Sequence, residues 1–159
     1  MSFLFCPIAS KHIDTLIEAQ AYWTIRLAGH AHPIDVRGKR VTIRMDPEET
    51  HAFTRDYDGK PCDPSLLVFR PREADPRRFD LRRARQMDSI LTTLSRPVAC
   101  VAAKAHRAVL VLGPAEVSGD RIGVVVYPKA ADVWCVRTSY PVNSQSFNQY
   151  RRSRGVPWP

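Results

Sequence analysis

The chain has 159 residues, of which 44% are hydrophobic and 25% charged, so it is long enough for one domain with a buried core and too apolar for a disordered chain. No apolar run approaches the roughly 18 residues of a membrane span, and residues 1–7 are too short and lack the basic start of a secretory signal. We therefore expect a cytoplasmic protein, or one delivered into a target cell without a cleavable signal. The net charge of +8 comes mostly from arginine, which favours phosphate groups as partners, although a merely soluble basic protein is the alternative.

The first half of the chain predicts one helix and two strands. Residues 9–29 carry a rough apolar stripe at helical spacing, with Ser10 as a cap and Gly29 as a terminator. Residues 40–45 alternate as a strand does, and residues 66–70 form a second short apolar run. Between them, residues 51–57 combine a histidine, a hydroxyl, an arginine, an acid and a phenol beside the predicted edge of a sheet.

A second helix is predicted over residues 76–95. Asp75 and Pro76 are a typical cap and first helical residue, and Pro97 ends the element. Its apolar stripe consists of Leu81, Ala84, Met87, Ile90, Leu91 and Leu94. The opposite face carries Arg78, Arg82 and Arg85, which form either a phosphate-binding row or a solvated helix face.

Four apolar, β-branched runs follow at 98–104, 106–112, 121–127 and 133–140, separated by turn-forming residues. This pattern is typical of consecutive hairpin strands and predicts an antiparallel sheet of at least four strands. The pattern as a whole therefore predicts an α+β fold, with two helices packed on this sheet in a single domain over residues 1–147. A basic tail over residues 148–159 is either a flexible arm for a nucleic-acid backbone or an ordered segment that packs Trp158 on the domain.

Neither a metal nor another cofactor is predicted. The four cysteines form no CxxC pair, and Cys100 and Cys135 lie within predicted strands, where they are expected to be small core residues. The last strand becomes polar at Arg137, Thr138, Ser139 and Tyr140, just before Pro141, which places reactive side chains at the end of a rigid element.

Three segments resemble the barnase–EndoU–colicin–RelE superfamily of small metal-independent ribonucleases, especially its phage and mobile-element branches. They are the arginine-bearing helix from Arg82 to Pro97, the valine-rich strand at 122–126, and the strand end at 134–141. The resemblance extends over residues 40–141. It implies helices packed on a curved antiparallel sheet and RNA cleavage by 2′-hydroxyl attack, which gives a 2′,3′-cyclic phosphate. It also implies a toxin that cleaves tRNA or mRNA and is neutralised by an acidic antitoxin or immunity protein.

The residues supply candidates for that chemistry. His51 is the predicted acid or base, because its unperturbed pKa lies near 6.5, and His106 is the second choice. Arg137, Arg82 and Arg85 are predicted to hold the phosphate, Thr138 to donate a hydrogen bond, and Tyr140 to donate one or to stack on a base. The predicted RNA-binding surface consists of Arg55, Arg78, Arg82, Arg85, Arg151, Arg152 and Arg154.

Strand alternation makes part of this site difficult to build. Arg137 and Ser139 are expected on one face of the last strand, and Thr138 and Tyr140 on the other, so both pairs reach one phosphate only if the strand ends or bulges near Thr138. The resemblance favours Thr138 and Tyr140. However, Trp134 and Val136 are expected on their face, which favours a core role for it.

Two other functions fit the sequence. One is a non-catalytic RNA-binding domain of the same fold. The other is a protein-interaction module, such as an immunity protein or a phage inhibitor, although inhibitors of basic nucleases are usually acidic and this chain is basic.

Overall fold

The computed structural model describes residues 6–28, 32–36, 39–102, 107–115 and 120–152, and it confirms the α+β class. The helices are α1 Leu16–Tyr22, α2 Leu81–Ala84, α3 Asp88–Ser95 and α4 Ser144–Arg152. The strands are β1 His32–Val36, β2 Lys39–Arg44, β3 Thr54–Asp56, β4 Leu67–Val68, β5 Arg77–Phe79, β6 Ala99–Ala102, β7 Val109–Leu112, β8 Arg121–Ala130 and β9 Val133–Val142. The predicted Gly29, His106, Arg154 and Trp158 lie outside the described residues.

The larger sheet has the strand order β1–β2–β9–β8–β7–β6 and is curled. The predicted meander is confirmed, because β6, β7, β8 and β9 pair antiparallel in sequence order. The sheet as a whole is mixed, since β2 pairs parallel with β9. That pairing joins residues about ninety positions apart, which local patterns do not reveal. A smaller antiparallel sheet has the order β3–β5–β4.

The first predicted helix is shorter than expected and begins later. Residues 10–12 form a 3₁₀ turn, α1 begins after Thr15, and residues 23–28 form a π-helical turn. Thr15 caps α1, since its Oγ1 accepts the Glu18 N–H at 3.2 Å and donates to the Glu18 carboxylate at 3.0 Å. Ser10 is not the cap because its hydroxyl donates to the Arg85 carbonyl and its N–H to Asp88.

The second predicted helix is interrupted. Residues 77–79 form β5, and Asp80 rather than Asp75 caps the short helix α2 by accepting the Arg83 N–H at 3.1 Å. The prediction of one helix over 76–95 was therefore wrong, because hydrogen bonding of β5 to β3 and β4 outweighs local helical preference. The apolar stripe is confirmed: Ala84, Met87, Ile90 and Leu94 are fully buried, and Leu81 and Leu91 pack against them.

The two faces of the larger sheet pack differently. One face meets the helices in the main core, to which Val111, Val124, Val126 and Trp134 contribute. The other face forms a smaller cluster of Val101, Leu110, Leu112 and Val142 with Phe147 of α4. Arg121 lies over the Phe147 ring, 4.0 Å from its centroid, which helps to hold α4 in place. Helix α4 crosses the predicted boundary at residues 147 and 148, so the first part of the basic tail is helical.

A β-bulge interrupts β9 at Arg137. Val125 pairs with Thr138 and Val126 pairs with Val136, which leaves Arg137 as the extra residue. The bulge moves Thr138 and Tyr140 to the face opposite Trp134 and Val136, so the expectation that all four share a face was wrong. Among the described residues, none of the helices has the length and apolar character needed to cross a membrane.

Candidate active site

The β9 bulge holds the segment that carries His51. The His51 N–H donates to the carbonyl of Arg137, and Thr138 Oγ1 donates to the carbonyl of His51 at 3.4 Å. Thr50 Oγ1 also donates to the Arg137 carbonyl, at 3.5 Å. Three hydrogen bonds therefore connect the bulge to residues 50 and 51, and they fix the loop between β2 and β3 against a central strand.

His51 forms a close pair with Glu73. Its Nε2 lies 2.6 Å from Glu73 Oε1, and the side chains are only 14% and 22% exposed. Burial lowers the pKa of His51 to about 4, because the effect of Glu73 is too small to offset desolvation together with Arg77 and Arg137. Burial alone would raise the pKa of Glu73, but the bond from His51 and the charges of Arg77 and Arg137 bring it below its usual value. Near neutral pH, a neutral imidazole therefore donates Nε2–H to an ionised carboxylate.

Glu73 lines a cavity of about 690 Å³, whereas His51 lies behind the carboxylate and is not among the lining residues. The volume is in the range of small-molecule sites. The cavity is lined by Asp46, Glu48, Glu49, Arg70, Pro71, Arg72, Glu73, Ala108, Val125, Tyr127, Pro128, Lys129 and Arg137. Strand pairing places Val125 and Tyr127 on one face of the larger sheet, and α4 covers a different part of that same face.

Two guanidinium groups in this cavity bind carbonyl oxygens rather than carboxylates. Arg137 Nη1 donates to the Glu49 carbonyl at 3.2 Å, and Arg70 Nη1 donates to the Pro47 carbonyl at 2.7 Å. Within the described ranges neither arginine forms an ion pair, and Arg70 Nε is buried without a hydrogen-bond partner. Burial lowers the pKa of Arg70, while the charges of Glu73 and Asp46 act in the opposite direction. The cavity thus presents two guanidinium groups that are held by carbonyl oxygens and that interact with the Glu73 carboxylate through space.

The opposite wall has its charges paired. Glu49 accepts hydrogen bonds from Tyr127 and Lys129, and Arg72 lies 3.5 Å from the same carboxylate. The bond from Lys129, followed by that from Tyr127, lowers the pKa of Glu49, so this carboxylate is ionised. Burial, aided by Glu49, raises the pKa of the Tyr127 hydroxyl. This wall is therefore a network of paired charges, and among the described residues Glu73, Arg70 and Arg137 form no ion pair with it.

The other predicted site residues lie elsewhere. Tyr140 packs against the smaller apolar cluster and is not among the cavity-lining side chains. Arg85 Nε donates to the Ile13 carbonyl at 2.9 Å and Nη2 to Asp14 at 2.7 Å, so it joins two parts of the chain. Arg82 is exposed on α2.

Arg55 and Arg78 are brought directly opposite each other in the small sheet. Like charges in that position repel each other. Arg152 is exposed at the end of α4, in which Arg151 also lies. The structure therefore brings together His51, Arg137 and Thr138 but leaves Tyr140 and the helix arginines outside the cavity.

Sequence reasoning missed Glu73 and Arg70. They flank Pro71 and Arg72 in the loop that follows β4. The one local signal for a site there is that three of the four residues 70–73 are charged. That signal does not indicate His51 as the partner, because the pair spans 22 positions and depends on the loop path.

In the described part of the chain, no group of three or more His, Cys, Asp or Glu side chains is arranged to hold a metal ion. Comparison with known proteins gave no match to a family model, to a curated protein or to a solved structure.

Proposed function

We propose that the chain is an endoribonuclease that cleaves RNA by attack of the ribose 2′-hydroxyl, without a metal ion. One observation carries this proposal: the ionised Glu73, held by His51 at 2.6 Å, shares a cavity with the guanidinium groups of Arg70 and Arg137. A base next to cationic groups is the combination that phosphodiester cleavage requires. The sequence resemblance to small metal-independent ribonucleases supports the same activity.

Each group has a role in the proposed reaction. Glu73 takes the proton of the 2′-hydroxyl, whose oxygen forms a bond to the adjacent phosphorus. The bond from phosphorus to the 5′-oxygen breaks, and that oxygen takes a proton from solvent, to which the cavity is open at the 87% exposed Arg72. The products are a 2′,3′-cyclic phosphate and a 5′-hydroxyl.

Arg137 and Arg70 stabilise the additional negative charge on the phosphorane. Arg137 is suited to this role because the bulge anchors its backbone and its guanidinium bonds the Glu49 carbonyl. His51 positions the Glu73 carboxylate by donating Nε2–H to it, so it supports the base rather than contacting the phosphate. The sequence-based hypothesis named His51 as the acid or base, and the main change here is that Glu73 takes the role of the base.

The proposal includes a biological setting. A ribonuclease that acts on cellular tRNA or mRNA as a toxin needs a neutralising partner. The net charge of +8 favours an acidic protein in that role.

The proposal is tested with purified protein and one single-stranded RNA in two forms, unmodified and fully 2′-O-methylated. We expect cleavage of the unmodified RNA to cyclic-phosphate ends in the presence of EDTA, and none of the methylated RNA, because its nucleophile is blocked. Glu73→Gln should lower the cleavage rate by about a hundredfold to ten-thousandfold. Asp75→Asn removes the same charge two residues away and is the matched control. Cleavage of the methylated RNA, or full activity of Glu73→Gln, would contradict the proposed chemistry.

A further inference from the structure

A second cavity adjoins the first. It has a volume of about 330 Å³ and shares Glu48, Arg70 and Pro71 with the larger cavity. The remaining lining residues are Gln20, Trp23, Thr24, Pro47, Phe53, Val68 and Phe69. The shared residues make the two cavities neighbouring compartments, with Arg70 between them.

Aromatic side chains form both the floor and the rim of this second cavity. Trp23 and Phe53 are buried, with ring centroids 6.3 Å apart, and the Trp23 indole donates to the Met45 carbonyl at 3.1 Å. Phe69, by contrast, is 74% exposed. A single exposed apolar side chain is common and carries no functional meaning by itself. Phe69 is different because it lies at the mouth of a cavity with a rigid aromatic floor.

Arg70 connects the two compartments chemically. Its Nη1 is held by the Pro47 carbonyl, while its buried Nε has no partner among the described residues. The neighbouring residues, Phe69 and Pro71, line the second cavity on either side of it. An anion that binds Arg70 in the larger cavity therefore has an aromatic surface immediately beside it.

We propose that the second cavity binds an unpaired nucleobase of single-stranded RNA, stacked on Phe69, while the neighbouring phosphate binds Arg70 and Arg137. The inference rests on the proposed function, and it defines the substrate as RNA with an unstacked base at the cleaved step. Aromatic faces accept every base, since stacking depends on the π-surface rather than on a hydrogen-bond pattern. The polar side chains of Gln20, Thr24 and Glu48 surround the cavity and can contact the edge of the base.

The test is a binding measurement that does not depend on cleavage. The probe is a fluorescein-labelled, fully 2′-O-methylated hexaribonucleotide, and its affinity is measured by fluorescence anisotropy. We expect Phe69→Ala to raise Kd by about fivefold to a hundredfold, the range that the loss of one stacked base produces. Phe69→Trp should bind like the wild type. Val98→Ala removes another exposed apolar side chain, which lies outside both cavities, and should leave Kd unchanged.

An abasic oligonucleotide of the same length separates stacking from backbone contacts. We expect Phe69→Ala to bind it as the wild type does, because no base is present to stack. Equal affinity of the wild type and Phe69→Ala for the base-containing probe would overturn the subsite. So would an equally large loss on the abasic probe.

Cleavage of the unmodified RNA, measured in parallel, distinguishes this inference from the proposed function. Cleavage by the wild type with no effect of Phe69→Ala on Kd or KM would overturn the base subsite and leave the ribonuclease intact. Binding that depends on Phe69, without any cleavage by the wild type, would support the base site and overturn the ribonuclease.

Discussion

Two groups of arginines in this protein differ in the partners of their guanidinium groups. Arg77, Arg83 and Arg85 use their donors within the fold: Arg77 and Arg83 bond Thr54, and Arg85 bonds the Ile13 carbonyl. Arg70 and Arg137, in the cavity, bond only carbonyl oxygens among the described residues and form no ion pair there, although the Glu73 carboxylate interacts with both through space. The difference shows that an arginine-rich segment is not necessarily a phosphate site, since the partners of each guanidinium decide whether its charge is available.

Among the arginines, the largest effect should come from removing one that lines the cavity. Arg137→Ala should lower the rate of RNA cleavage by about a hundredfold to a thousandfold, because a preorganised donor to the developing charge is lost. Single-turnover cleavage measures the change. Tyr140→Phe, on the same strand but outside the cavity, should retain nearly full activity. Equal losses in both variants would mean that β9 acts as a unit and that the cavity is not the reaction centre.

The buried His51–Glu73 pair should make the stability of the protein depend on pH. The pKa of His51 is about 4 in the folded protein and near 6.5 in the unfolded chain, so the unfolded chain takes up the proton first as pH falls. The contribution of His51 to the free energy of unfolding is fully present above pH ~6.5. It decreases by up to about 3 kcal/mol as the pH falls toward ~4.

Urea unfolding at several pH values tests this dependence. His51→Gln should flatten the decrease between pH ~6.5 and ~4, and His12→Gln, at an exposed position, is the matched control. The lowered pKa of Glu73 acts with the same sign but below its unfolded value of 4.5, so the two contributions fall in different pH ranges. If the free energy of unfolding of His51→Gln decreased with falling pH as steeply as that of the wild type, the burial of a neutral imidazole would be contradicted.

The structural arginines should affect stability rather than chemistry. Arg77→Ala should lower the free energy of unfolding by about 1–3 kcal/mol, because the buried Thr54 loses its donors from Arg77 at 2.8 and 3.3 Å. The ion pair with Asp56 should contribute little, since that carboxylate is 97% exposed. Denaturant unfolding measures the loss, and Asp56→Asn provides the comparison. An Arg77→Ala variant with wild-type stability would mean that the hydrogen bonds from Arg77 to Thr54 do not stabilise the fold.

The smallest effect is expected at the helix arginines. Arg82→Glu should flatten the salt dependence of RNA binding by roughly one unit of log–log slope if its exposed charge meets a phosphate. Arg85→Glu should also weaken the contact with Ile13 and Asp14, so its effect should include a loss of stability. Binding titrations from low to high salt, together with an unfolding curve for each variant, distinguish an effect on RNA binding from an effect on stability. An unchanged slope in Arg82→Glu would identify Arg82 as a solvated side chain.

Part of the fold could be read from local sequence. The four-stranded meander and the apolar stripe from Leu81 to Leu94 were predictable because alternation and helical spacing are properties of neighbouring residues. The end of α3 at Ser95, before Pro97, follows from the same kind of signal. The start of α1 could have been found from Thr15 and Glu18, because a threonine followed three residues later by a glutamate is a local cap signal.

The sequence by itself determined the α+β class, the meander, and the choice of His51 and Arg137 as reactive candidates. Only the tertiary structure decided that Arg137 forms a bulge and that Glu73 lies against His51. It alone also decided that Arg85 binds residues some seventy positions away. The physical reason is that hydrophobic periodicity is a property of neighbouring residues and indicates which face of an element is buried. Whether a charged side chain can bind a ligand depends instead on its partners, and only the folded chain brings those partners within hydrogen-bond distance.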